Sequence, residues 1–117
     1  MDGIVHILVE LLDGDVKAAN KLKRKDIEFE LNTQVKGKVI VTRKREMIGL
    51  MEATSVVFEF SSDSINVTQR IGMEVKPLFE AKPGLNHDGE CLLEVDGNPL
   101  KLWQVSRKAL EGLFFNF

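Results

Sequence analysis

The chain has 117 residues, 44% hydrophobic and 29% charged, with a formal net charge of -2. That is enough chain for one hydrophobic core and too little for two, and 9 glycines with 3 prolines are too few for a low-complexity or disordered protein. The longest apolar run is broken by His6 and Glu10, no basic leader precedes it, and the lone Cys91 closes no internal disulfide. A cytoplasmic protein of one domain, residues 1–117, without a transmembrane segment is therefore expected.

The first segment reads as a helix. Asp2, His6, Glu10, Asp13 and Lys17 recur at helical spacing and form a polar stripe, while Ile4, Val5, Leu8, Leu11 and Leu12 fill the opposite side. Asp13-Gly14-Asp15 is expected to break or kink it, with Asp15 capping a second turn through Ala18, Ala19 and Leu22.

From Asp26 the period becomes two. Ile27, Phe29 and Leu31 alternate with Glu28 and Glu30, and Val35, Val39 and Val41 alternate with Lys36, Lys38 and Thr42. A loop at Asn32 to Gln34 would place both apolar sets on one face and oppose Glu30 to Lys36 and Glu28 to Lys38. Residues 45–53, Arg-Glu-Met-Ile-Gly-Leu-Met-Glu-Ala, read as a short middle helix with Met47, Ile48, Leu50 and Met51 in the core.

Two further hairpins can be registered. A four-residue loop, Ser61 to Ser64, pairs Phe60 with Ile65 and Phe58 with Val67, leaving Glu59 and Asn66 outside. A loop from Asp96 to Pro99 would pair Val95 with Leu100, Leu93 with Leu102, Glu94 with Lys101 and Leu92 with Trp103. Between them residues 73–81 alternate as a strand, which Pro77 confines to an edge or a bulge. Ser106 is then expected to cap a C-terminal helix that buries Leu110, Leu113, Phe114 and Phe117.

The sum is an α+β protein with a mostly antiparallel, curved sheet or partly open barrel of about six to seven strands, an N-terminal helical segment, a short middle helix and a C-terminal helix. This element order looks like the cone of nuclear transport factor 2-like domains, except that those end in a strand. It also looks like a pleckstrin-homology-like barrel, which needs neither the first nor the middle helix. The likeness implies an architecture and transfers no function.

Charge is segregated along the chain: residues 1–14 carry net -3, residues 15–46 net +5 and residues 47–117 net -4. Two basic triplets, Lys23, Arg24, Lys25 and Arg43, Lys44, Arg45, fall at the same open end of the first hairpin. They form the candidate site for a protein partner or, alternatively, for nucleic acid through counterion release. Against nucleic acid stand the pI near 5.7, the absence of tyrosine and the lack of aromatics beside the triplets. Phe114, Phe115 and Phe117 are a second candidate interface, compatible with a homodimer.

No catalytic or cofactor motif is present, and no metal site is assigned. His87, Asp88, Glu90 and Cys91 lack the paired spacing of a zinc centre, and Asp88-Gly89 is a natural turn. The leading expectation is a small, non-enzymatic binding or assembly module acting through protein contacts. A small-molecule-binding or enzymatic cone with His6 or His87 at its mouth is the third reading.

Overall fold

The structure, a computed structural model, describes residues 2–22, 26–47, 49–85 and 91–115, excluding the side chains of Asp2, Met47, Leu85, Cys91, Phe114 and Phe115. Helix α1 (Asp2–Leu22) is followed by strands β1 (Ile27–Asn32), β2 (Lys38–Met47), β3 (Leu50–Phe60), β4 (Ile65–Ile71), β5 (Glu74–Leu85), β6 (Cys91–Val95) and β7 (Asn98–Leu100). Helix α2 (Leu102–Phe115) closes the order. The seven strands pair with their sequence neighbours throughout, giving an antiparallel meander in the order β1-β2-β3-β4-β5-β6-β7. The antiparallel sheet and both terminal helices agree with the sequence. The sheet does not close: β1 and β7 are free edges, so neither a barrel nor a cone forms.

Both helices lie on one face of the sheet. Leu8 and Leu12 of α1 and Val105 and Leu113 of α2 join Val41, Phe58, Ile65 and Leu93 of the strands in one core, each at most 1% exposed. Period-two alternation sends the intervening residues to the opposite face, which carries no helix. Val57, on that bare face, is buried by its strand neighbours but lies outside the core cluster.

Helix α1 runs unbroken through Asp13-Gly14-Asp15. The buried stripe of Ile4, Leu8, Leu12 and Val16 continues past Gly14, so packing outweighs the roughly 1 kcal/mol propensity cost of that glycine. Its outer stripe is polar as expected, with His6 paired to Glu10 at 3.1 Å and Lys17 to Asp13 at 2.9 Å. Asp15 is not a cap; its Oδ2 accepts a 2.7 Å hydrogen bond from the Oγ of Ser106, a fully buried residue of α2.

Three local readings are corrected. The β1–β2 loop spans residues 33–37, so Leu31 faces Val41, Glu30 faces Thr42, and neither Lys36 nor Lys38 meets the glutamates. Gly37, at φ 76°, permits the turn. The β6–β7 turn is the two-residue Asp96-Gly97 with both φ positive, which pairs Val95 with Asn98 and Leu93 with Leu100. That shorter turn releases Leu102 and Trp103 into α2, whose N-cap is Lys101: Gln104 Oε1 accepts from the Lys101 N–H at 2.8 Å, and the Lys101 carbonyl accepts from Val105. Third, the described residues of 45–53, all but Ile48, form no helix. They end β2, turn at Gly49 (φ 73°) and begin β3 in one continuous ladder.

The β3–β4 hairpin pairs Phe60 with Ile65 and Phe58 with Val67, in the expected register. Pro77 lies next to a β-bulge, where the β4–β5 register steps from Val67–Phe79 to Thr68–Pro77, and β6 covers only residues 81–85 of β5. Each terminal strand carries a device against edge pairing. Strand β7 is short and contains Pro99, while Asn20 of α1 donates from Nδ2 to the Phe29 carbonyl and accepts at Oδ1 from the Phe29 N–H, both at 2.9 Å. We expect Asn20→Ala to cost about 1–2 kcal/mol in urea unfolding, and Asn20→Asp, which keeps one of the two bonds, to fall between it and the parent.

Candidate docking site

The molecule measures 53 × 29 × 25 Å. At the end of the sheet holding the β2–β3 and β4–β5 turns, here the distal end, β1 reaches only Arg45 and β4 only Thr54 of their partners. Residues 50–53 of β3 therefore extend beyond the end of β4 by about 13 Å at the usual rise per residue. Both helices point their C-termini this way. Helix α1 leads into the start of β1, and the Arg43 Nη1 donates to the Leu113 carbonyl in the last turns of α2 at 2.9 Å.

Apolar side chains stand in the open here. Leu50 (74% exposed), Met51 (62%), Ile71 (48%), Met73 (101%) and Val75 (58%) all belong to the distal end, five of the nine exposed large hydrophobics among the described residues. By strand parity Leu50 and Ile71 face the helix side, Met51 and Val75 face the bare side, and Met73 occupies the β4–β5 turn. The apolar set therefore surrounds the distal tip and is no part of the core. Leu50 and Met51 overturn their assignment to a buried middle helix.

The basic residues of β2 are split by the same alternation. Arg43 and Arg45 face the helix side and Lys44 the bare side. Arg43 is drawn into the structure by its bond to α2. Burial lowers its pKa; the nearby Glu52 carboxylate opposes that shift, and Arg45 adds to it. Lys44 Nζ lies 2.9 Å from Glu30 Oε1, and that hydrogen bond, then the charge of Glu30, raises its pKa. Arg45 Nε lies 3.8 Å from Asp26 Oδ2 and is buried without a hydrogen bond. The other triplet, Lys23 to Lys25, lies outside the described residues, as do the side chains of Phe114 and Phe115, all of Phe117, and His87 with its acidic neighbours. His6, the remaining histidine, sits on the outer surface of α1 beside Glu10 and away from the interior.

The distal apolar set carried one sequence signal that the periodicity obscured. Leu50 directly follows the turn glycine Gly49, and Met73 stands in the Gly72-Met73 turn straight after Ile71, placing large apolar residues at or beside turns that ordinarily carry Asn, Asp, Ser or Gly. The chain matches no protein-family model, no curated protein and no solved structure.

Proposed function

We propose that this chain is a small, non-enzymatic binding or assembly module that docks onto a partner through its distal end. One observation carries the reading: exposed Leu50, Met51, Ile71, Met73 and Val75 gather at the projecting hairpins. Apolar surface that folding leaves in water costs free energy that a partner can recover, and such clusters mark interaction sites. Methionine suits the role because its flexible thioether adapts to uneven surfaces. The basic groups of β2 take a supporting part here, since Arg43 and Lys44 already engage α2 and Glu30.

Site-specific photocrosslinking in cells tests the docking. A photoreactive residue at position 50 or 51 is expected to form covalent adducts, to protein or to lipid, whereas one at Val35, an exposed apolar position in the β1–β2 loop, forms few. Equal yields at 35 and at 50 and 51 would dismiss the distal end as the contact surface.

A further inference from the structure

Resting on the docking reading, we infer that the partner of the distal end is a membrane surface bearing anionic lipid, entered end-on by the tip of the β2–β3 arm with the β4–β5 hairpin set behind it at headgroup level. The first argument is geometric. Leu50 and Met51 are adjacent residues pointing to opposite faces of one two-stranded arm, and Ile71 and Val75 point to opposite faces of the neighbouring hairpin. A flat protein laid against either face covers one of each pair and leaves the other in water. An apolar layer entered from the tip covers both. No described helix is long and apolar enough to cross a membrane.

The second argument is charge. Residues 43–53 and 70–76 hold five basic side chains, Arg43, Lys44, Arg45, Arg70 and Lys76, against three acidic ones, Glu46, Glu52 and Glu74. Asp26, level with Glu46 just before β1, brings the count to five basic against four acidic, so this end is net +1 in a chain of net -2 and the remainder carries -3. Of the acids, Glu52 stands across the ladder from Arg45 and close enough to Arg43 to act on its charge. Glu74 pairs with Ile71 at the level of Thr54, well behind the arm tip. An anionic surface attracts the positive end and repels the rest, which orients the molecule tip first.

The third argument is depth. Glu46 lies level with Met51 across the ladder, so only the last turn of the arm can leave the headgroup layer. That limits immersion to roughly 5–10 Å, the depth at which interfacial elements bury their apolar residues. Cations set further back, Arg70 beside Val75 and Lys76 one residue on, then sit at headgroup level.

The test is co-sedimentation of the full chain with vesicles at low salt, using phosphatidylcholine alone and phosphatidylcholine mixed with phosphatidylserine. Association is expected with the mixed vesicles only, weakening as salt is raised. Leu50→Asp with Met51→Asp should reduce the partition coefficient about tenfold or more, since each inserted side chain contributes several methylene equivalents. Arg70→Glu with Lys76→Glu should also reduce it about tenfold or more, at about 1 kcal/mol for each basic residue near the surface. All four positions are exposed, so the variants should unfold with the parent's midpoint, which is checked in the same series. No association with the mixed vesicles, equal association with uncharged ones, or association indifferent to the tip substitutions would overturn the lipid assignment. Should crosslinks then still concentrate at 50 and 51, on protein, the docking site stands and its partner is a protein.

Discussion

Phe58→Ala is expected to destabilise the fold by about 3–5 kcal/mol in urea unfolding, while the neighbouring Val57→Ala costs about 1–2 kcal/mol. Both residues are at most 1% exposed, so burial alone does not rank them. Their faces do. Phe58 pairs with Val39 and Val67 on the side covered by both helices, and truncation there leaves a cavity roofed by α1 and α2. Val57 pairs with Ile40 and Thr68 on the bare side, shielded only by adjoining side chains, so water refills the space that truncation opens. Losses that track only the number of carbon atoms removed would show that the helical layer adds nothing to the packing of the central strand.

The same two faces explain what could be read in the sequence. Alternation is visible where one face of a strand is buried and the other wet, as in Ile27 to Leu31 and in the β3–β4 hairpin, whose Ser-rich loop left a single sensible register. In β1–β2 the parity was right and the register wrong. Val35, Val39 and Val41 share one parity, so sliding β2 along β1 by an even number of residues keeps the same face inward. The choice was made by Gly37 and by Gly49, each at positive φ, which end the strand at both sides.

At residues 45–53 the alternation disappears for a physical reason. An arm that projects beyond the helices has no buried face to alternate against, and Leu50 and Met51 are apolar on opposite sides. Two adjacent apolar pairs, 47 with 48 and 50 with 51, then mimic the spacing of a helix. The misreading and the docking site thus have one cause. The basic triplet shows the converse: three consecutive cations on a strand cannot share a face, and their partners Leu113, Glu30 and Asp26 come from three separate elements that no local pattern links to them.

Those partners lead to the second large effect. Arg43→Met, which keeps most of the apolar stem, is expected to lower stability by about 1–2 kcal/mol, and Arg43→Glu by about 2–3 kcal/mol, because the first leaves the Leu113 carbonyl without its charged donor and the second adds a like charge beside Glu52. Repulsion between a new carboxylate and the negative end of α2 acts in the same direction. Lys44→Glu, on the exposed side of the same strand, should lower the urea midpoint by less than Arg43→Glu, although it removes the pair with Glu30 and sets a carboxylate across from Glu28. Denaturation curves of the three variants decide this, and equal midpoints for Arg43→Glu and Lys44→Glu would show that the bond to α2 contributes nothing. The difference matters for any binding experiment. Reversing the whole triplet would diminish binding of protein, nucleic acid or lipid alike by loosening α2 from the sheet, whereas the tip residues and Arg70 with Lys76 can be changed without touching that contact.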